Sequence, residues 1–316
     1  MALNAQRISL CVPAYNASRV LPRLFASVQA QTEPFDEVWV YDDASSDDTA
    51  AVAAGFGARV VSGQANVGCS GGKNALLSHI DSEWVHFHDA DDTLHPQFVE
   101  RARRRIPEAD FDLLLFDYEQ VDEHSGLRIS CSEFSKTTVL QDPTRYLLRE
   151  TINNGGVYST AMLRRLGGFD VDADVLFNED RAFHLRLAEH GGRFAHEPYV
   201  ASRFYFTGHS MSATNKLKCS LANQEITRRY ARRHPDEHRR EIGDQSWKNA
   251  GILASYLDWP AADAAVDLAL ASTGRIPGEG SLAFRSLCAI NAHAAIRIRE
   301  WMIRLFKPRY RQGYPQ

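Results

Sequence analysis

The chain has 316 residues, 44% of them hydrophobic and 24% charged, with a formal net charge of −4. That length suits one large domain or two modest ones around a substantial core, and the slightly acidic balance gives no whole-molecule reason to expect a nucleic-acid partner. No apolar run approaches the ~20 residues needed to span a bilayer, Met1 to Arg7 lacks the apolar segment of a signal peptide, and Cys11, Cys69, Cys131, Cys219 and Cys288 form neither a C-x-x-C pair nor an even-numbered framework, so a reducing cytoplasm is the expected setting.

In chain order, the first half alternates strand and helix signals. Ile8 to Val12 reads as a buried strand ended by Pro13. Val20 to Val28 has helical spacing, with Ser18 as its N-cap. Val38 to Tyr41 is the next strand, Asp47-Asp48-Thr49 opens an Ala-rich helix, and Arg59 to Val61 is a third strand. Gly71 to Ile80 follows as a helix, then Trp84 to His88 as a fourth strand, with helix-start chemistry at Thr93 and Pro96. Strands alternating with short helices predict an α/β fold with a parallel sheet and helices on both faces. Right-handed crossovers place the loops after the strands on one rim, where such sheets bind ligands.

The middle is less regular. Leu113 to Phe116 is a strand, Leu127 to Ser130 a candidate for another, and Asn153 to Gly156 a turn or flexible loop. A helix from Thr160 ends at Gly167-Gly168, where glycine supplies left-handed backbone. Glu179-Asp180 opens a helix to about His190, and Val200 to Phe206 is a last strand. Beyond Ser220 the chain is mostly helical: an Arg-rich stretch over Gln224 to Arg240, a hairpin of Trp247 to Leu257 and Ala261 to Ala271 around Trp259-Pro260, a Gly/Pro stretch over Gly274 to Gly280, and one final helix from Ser281 to Phe306. A boundary near Asn215 divides residues 1–215 from a helical extension, 216–316.

The residues with the most chemistry are Asp89-Ala90-Asp91-Asp92, at the end of the fourth strand. Three clustered carboxylates repel one another unless a cation sits among them. Hard oxygen donors with no cysteine beside them favour Mg²⁺ or Mn²⁺ over Zn²⁺, and a metal held by one or two carboxylates completes its shell with water and phosphate oxygens. The tetrapeptide alone also reads as a solvated acidic loop. Lys73, inside a helix that starts after a Gly-rich turn, favours an anion or is a solvated surface lysine. Asn66 has loop-holding chemistry. Asp42 and Asp43 suit a polar ligand or a cap on the following turn. Asp180 suits a proton acceptor or a helix-dipole carboxylate.

Several of these segments, taken in order, resemble family 2 glycosyltransferases. Val12-Pro13-Ala14-Tyr15-Asn16 is similar to the family's V-P-x-Y-N, and Tyr41-Asp42-Asp43-Ala44-Ser45-Ser46-Asp47-Asp48-Thr49 to its V-D-D-x-S-x-D-x-T. Asn66-Val67-Gly68 through Lys73-Asn74 is similar to N-x-G-x-x-x-x-R-N, Asp89-Ala90-Asp91-Asp92 to D-x-D-D, and Gly167-Gly168-Phe169-Asp170 with Glu179-Asp180 to G-G-F-D and E-D. The match covers about residues 7 to 210. Lys73 replaces the usual arginine, keeping the charge without the bidentate fork, and Ala90 replaces a frequent serine.

The resemblance implies a GT-A fold, a Rossmann-like, mostly parallel sheet flanked by helices. It also implies inverting, metal-dependent transfer of a sugar from a nucleotide-diphosphate donor, UDP-linked by first expectation, to a hydroxyl of a glycan, lipid-linked or protein acceptor in cell-surface polysaccharide assembly. The implied donor-binding set is Pro13, Ala14, Tyr15, Asn16, Asp42, Asp43, Asn66, Gly68, Lys73 and Asp89. Mn²⁺ or Mg²⁺ would be held by Asp91 with Asp89, Asp92 and His209, the last in the loop Thr207 to Ser212. Asp180 would be the general base and Glu179 would orient the acceptor. A sugar-phosphate nucleotidyltransferase and a catalytically silent nucleotide-sugar-binding module are the alternatives. A nicotinamide enzyme is disfavoured because the first strand–helix turn lacks G-x-G-x-x-G.

In the final helix Ile298, Trp301, Met302 and Leu305 share one face, with Arg297, Arg304, Lys307, Arg309 and Arg311 around or beyond it. That pattern suits a helix lying on anionic lipid at the inner face of a membrane. It equally suits a helix packing its stripe on the catalytic domain or on a second subunit of a homo-oligomer, and the packed arrangement is the expectation.

Overall fold

The computed structural model describes residues 6–108, 110–153, 155–207, 214–274 and 281–307. The chain divides into two compact units: Met1–Leu147 with Thr151–Val171 and Glu179–Thr207, and Leu148–Glu150 with Asp172–Asn178 and Gly208–Gln316.

The first unit begins with β1 (Ile8–Ala14), whose Ile8, Leu10, Cys11 and Val12 are wholly buried. A strand covered on both faces reads as a continuous apolar run rather than an alternation. Then come α1 (Leu21–Gln29), β2 (Glu37–Asp42), α2 (Thr49–Gly55), β3 (Arg59–Ser62), α3 (Gly68–Leu77) and β4 (Trp84–Phe87). The remainder is β5 (Thr93–Leu94), α4 (Phe98–Arg105), β6 (Leu113–Asp122), β7 (Arg128–Ser132), α5 (Pro143–Leu147), β8 (Gly156–Ser159), α6 (Thr160–Arg165), α7 (Glu179–Glu189) and β9 (Phe194–Phe206).

Among the described residues the strands form one sheet in the order β3-β2-β1-β4-β8-β6-β9-β5, with β7 on the edge of β6. β3, β2, β1 and β4 are parallel, β8 runs antiparallel between β4 and β6, and β9 is parallel to β6. The sheet is therefore mostly parallel but mixed. Its register sets the rim. Ala14 pairs with Asp42 and Asp42 with Ser62, while β4 ends at Phe87 beside Cys11. The chain thus leaves three parallel strands at one level, and Asp89 leaves the sheet two residues beyond Phe87. Leu21, Leu24 and Phe25 of α1 and Phe98, Val99 and Ala102 of α4 pack with the buried strand residues into one core.

Several elements differ from the sequence reading for identifiable reasons. Ser18 does not cap α1: its hydroxyl and amide both bond Asp47, and Val20 stands at the cap with no side-chain bond. Thr93 and Leu94 form the short strand β5 against Ser202 and Arg203, so the helix starts only at Phe98. The glycine-rich turn signal at Asn153 to Gly156 hid β8, which starts at Gly156 and closes the gap between β4 and β6.

The second unit contains α8 (Lys216–Arg233), α9 (Arg239–Ser255), α10 (Trp259–Thr273), α11 (Leu282–Ile290) and α12 (Ala292–Phe306). Its core is rich in alanine: Ala250, Ala254, Ala262, Ala265 and Ala269 join Trp247, Leu253 and Val266. Such small side chains let the α9–α10 hairpin helices approach closely. The single final helix expected over Ser281 to Phe306 is broken at Asn291, which turns to φ −156°, ψ 103° and accepts from the Ala294 amide as the N-cap of α12. An asparagine bonds its local backbone better at a helix start than inside a helix.

Gly168 has φ +77°, and a Cβ there would lie 2.2 Å from Asn74 Oδ1. That oxygen is not free to move, because Asn74 accepts from the Phe169 amide and donates to the Phe169 carbonyl. Replacing Gly168 with alanine should lower stability by about 1–3 kcal/mol, the usual cost of a strained backbone position, measured by denaturant melting. His86 and His184 are wholly buried, and burial pushes each down to about 4. Between that value and the ordinary histidine value near 6.5 the unfolded chain binds more protons than the folded one, so stability falls as pH falls through this window. The melting temperature should be lower at pH 5.5 than at pH 7.5; an unchanged value would contradict neutral burial of the two rings.

Candidate active site

The rim of the parallel strands is built by side chains that bond from loop to loop. After β1, Tyr15 is exposed and Asn16 adopts φ +49°. The Asn16 amide donates to Ser45 Oγ, and its Oδ1 accepts from the Ser46 amide, so this asparagine ties the β1 loop to the β2 loop. Asp47 accepts from Ser18 and Thr49, and the hydroxyls of Thr49 and Ser18 hold its carboxyl down at about 2. Pro13 and Ala14 lie in the last turn of strand beside this loop pair.

Asp42 and Asp43 are both buried. Asp42 accepts from the Ser45 amide at 3.2 Å. Asp43 accepts from the Val67 amide at 2.7 Å and the Gly68 amide at 2.9 Å. These amides open α3 and would otherwise lack intrahelical partners, so Asp43 caps that helix from a distance. Asn66 donates to the Asp43 carbonyl at 3.4 Å, in the loop-holding role that its chemistry suggested.

α3 approaches the sheet closely because Gly72 has no side chain. A Cβ there would sit 3.0 Å from both Pro13 Cβ and Tyr41 Cδ1. The next residue, Lys73, is consequently driven inward and is 1% exposed, which removes the surface-lysine reading. Its Nζ lies 2.9 Å from Asp180 Oδ1 and 4.7 Å from the Phe169 ring centre. Burial opposes the ammonium charge, but Asp180, then Cys69, Asp89 and Glu179, hold the Lys73 pKa well above the usual lysine value.

Asp180 and Glu179 occupy the first turn of α7, Asp180 partly open to solvent and Glu179 buried. His184, four residues on and therefore on the same face of α7, bonds Tyr158 of β8 through Nε2 at 2.8 Å. Tyr158 and His184 were not singled out in the sequence; the Asp180–His184 spacing is the signal that was available.

The acidic tetrapeptide divides its labour. Asp92 is buried and accepts from the Tyr205 amide at 2.8 Å, tying the loop to β9. Burial, with the neighbouring charges of Asp89 and Asp91, pushes its carboxyl up to about 9. The Asp91 carbonyl accepts from Arg23, whose guanidinium also pairs with Glu123 at 3.0 Å and stacks 3.7 Å from the Tyr205 ring centre. Arg23 is another residue the sequence reading did not reach. Asp89 keeps an exposed edge, but the protein crowding around it pushes its carboxyl up to about 6, with Lys73 pulling the other way.

The side chains of Asp89 and Asp91 accept no hydrogen bond among the described residues. Two clustered carboxylates without donors, at the end of a strand, fit a hard divalent cation that draws its other ligands from phosphate and water. No three His, Cys, Asp or Glu side chains converge as a ready-made cage among the described residues, and Asp92 bonds the Tyr205 amide of β9 through Oδ1. His209 lies outside the described residues. Every one of the five cysteines is free.

Comparison with known proteins gives a family. The model of "Glycosyl transferase family 2" matches residues 9–167, about half of the chain. The succinoglycan biosynthesis protein ExoO of Rhizobium meliloti is 26% identical over 282 residues, covering 84% of this chain and 81% of ExoO. The poly(ribitol-phosphate) beta-N-acetylglucosaminyltransferase TarS of Staphylococcus aureus is 29% identical over 185 residues, 55% of this chain and 30% of TarS. The crystal structure of TarS 1-349 in complex with UDP-GlcNAc superposes with a TM-score of 0.70 at 21% identity, covering 98% of this chain and 93% of that one. The mannosyltransferase PcManGT of Pyrobaculum calidifontis, solved with GDP-Man and Mn²⁺, superposes at 0.57 with 20% identity, over 98% of this chain and 83% of that one. At such identities the structures speak to the fold, which is GT-A. The matched stretch contains β1 to β4, the rim loops, Lys73 and the acidic tetrapeptide, and the chain belongs to glycosyl transferase family 2: it is a glycosyltransferase.

Proposed function

We propose that this enzyme transfers a sugar from a nucleotide-diphosphate donor, UDP-linked, to a hydroxyl of a glycan, lipid-linked or protein acceptor, with inversion at the anomeric carbon and a divalent cation as cofactor. The observation that carries the reading is the pair of donorless carboxylates, Asp89 and Asp91, facing the same charged cluster as the Lys73–Asp180 pair. The UDP preference draws on TarS, solved with UDP-GlcNAc, and cell-surface polysaccharide assembly draws on ExoO, named for succinoglycan biosynthesis. The acceptor class would then be a growing polymer, as the name of TarS states for that enzyme.

In this reading Asp91, with Asp89 beside it, holds Mn²⁺ or Mg²⁺, which when bound supplies Lewis-acid stabilisation of the departing diphosphate. Tyr15, exposed at the rim, offers a ring face for the base, and Asp42 retains carboxylate lone pairs for a nucleobase N–H or ribose hydroxyl. Pro13, Ala14, Asn16, Asn66, Gly68 and Asp43 shape the loops around the donor. Asp180 accepts the proton of the acceptor hydroxyl as that oxygen attacks the anomeric carbon. Lys73, in the donor-binding set by resemblance, bonds Asp180 and fixes its carboxylate in direction. Glu179 orients the acceptor side of the cluster.

Asp180→Asn keeps the shape and an oxygen for Lys73 but loses the base. Donor binding by calorimetry should stay within about twofold while transfer falls by about 100-fold to 10,000-fold, the usual worth of a positioned general base. Transfer at the wild-type rate would remove Asp180 from that role. Asp91→Asn should instead lose the gain in UDP-sugar affinity that Mn²⁺ confers on the wild type, and EDTA should reproduce that loss in the unaltered enzyme. Equal affinity with and without metal in both proteins would overturn the cofactor assignment.

A further inference from the structure

The apolar stripe of α12 is not packed away. Ile298, Trp301, Met302 and Leu305, at i, i+3, i+4 and i+7, are 46%, 62%, 41% and 44% exposed, and Phe306 beside them is 70% exposed. The same helix packs a different set, Ala292, Ala295 and Ile296, into the core of the second unit. The helix's own unit therefore leaves this stripe uncovered. Its neighbour α11 exposes Leu282 and Ile290 as well.

Charge selects the occupant. From Ser281 to Gln316 the sequence has seven Lys and Arg and one acidic residue, Glu300, a local charge of +6 in a chain whose total is −4. Glu300 is buried and bonded to Arg304, so it presents no negative charge to the surface. Arg297 and Arg304 are engaged with Asp263 and Glu300. The side chains of Arg285, Arg299 and Lys307 make no hydrogen bond or ion pair among the described residues. Arg299 flanks the stripe about 100° around the helix from Ile298 and is exposed, with Nη1 beside Gly251 of α9 and a long stem that lets the guanidinium swing toward a surface covering the apolar face.

We propose that this face of α12 docks the enzyme onto an anionic lipid surface. Trp301 and Phe306 enter the headgroup–acyl boundary while Arg299 and Lys307 meet lipid phosphates, the arrangement of an in-plane interfacial helix. A second copy of the chain is disfavoured as occupant, because a two-fold contact through the stripe would bring the same unpaired cations face to face. The helix does not cross the bilayer: no helix among the described residues is long and apolar enough for that.

The test is flotation of the full-length enzyme with vesicles of phosphatidylcholine alone and of phosphatidylcholine with phosphatidylglycerol, alongside light scattering across a range of protein concentrations. Three proteins are compared: the wild type, Trp301→Ser with Phe306→Ser, and Arg299→Glu with Lys307→Glu. All four positions are at the surface, so melting temperatures should match and exclude misfolding. The wild type should float with anionic vesicles, less with neutral ones and less at high salt, and each double variant should bind about tenfold more weakly or worse. The proposal is overturned if the wild type ignores anionic vesicles at low salt, if it binds neutral vesicles as well, or if either double variant binds like the wild type. A concentration-dependent dimer that Trp301→Ser with Phe306→Ser abolishes would assign the face to a second copy instead.

Discussion

One buried cation organises the catalytic unit. Lys73 is closed off from water and faces the carboxylates of Asp180, Asp89 and Glu179. An isolated ammonium in that position would cost several kcal/mol, and removing its partner would leave the penalty uncompensated. The pair is therefore a constraint on the chain around it. α3 must sit against β1 and β2, which the bare backbone of Gly72 permits, and its first amides must be satisfied although no residue of its own turn caps it, which Asp43 accomplishes. α7 must begin where Asp180 can meet the lysine. The approach to it runs through Gly167 and Gly168, both in left-handed backbone, and through the reciprocal bonds of Asn74 with Phe169.

The acidic loop solves the complementary problem of holding carboxylates in place without neutralising them. Arg23 grips the backbone carbonyl of Asp91, not its carboxylate. Asp92 turns inward and spends its oxygen on the amide of Tyr205, and the Tyr205 ring in turn supports Arg23. The loop is thus braced from α1, from the end of β6 through Glu123, and from β9, while Asp89 and Asp91 keep their lone pairs. Three aspartates that look equivalent in the sequence carry two separate duties, and the division follows from which side chain faces the protein and which faces the rim.

Much of this was legible in the residues. The strand–helix alternation, the convergence of four loops on one rim and the pairing of glycines with the start of α7 follow from local propensity and from crossover handedness. What could not be read is nonlocal. Asp43 as a cap for a helix that starts 25 residues later, Arg23 as a brace for Asp91, and Tyr158 beside His184 depend on partners far along the chain. β8 was hidden because a strand of four residues after a glycine pair has the composition of a turn. For Lys73 the sequence said only that a lysine near a helix start favours an anion. Its actual partner is a carboxylate 107 positions away, brought there by tertiary packing. The break at Asn291 lay within reach, since asparagine is a poor helix-interior residue and a good cap.

The electrostatics of the two units point in opposite directions, and that contrast bears on how an anionic substrate is handled. In the catalytic unit Lys73 faces Asp89, Asp180 and Glu179, with Asp91 beside Asp89, so the cluster is acidic where a diphosphate would approach. Like charges at short range disfavour binding unless a cation intervenes, and burial, with the neighbouring carboxylates adding to it, already pushes Asp89 and Asp92 upward. In the proposed reading a divalent ion held by Asp91 and Asp89 would offset that burden and favour the donor, so donor and metal would bind as linked ligands. The second unit concentrates positive charge in its last two helices, and the side chains of Arg299 and Lys307 lie beside an apolar face with no ion pair among the described residues. On the proposed readings, the apolar face with its cations suits an anionic surface, and the acidic rim suits a donor only together with a cation.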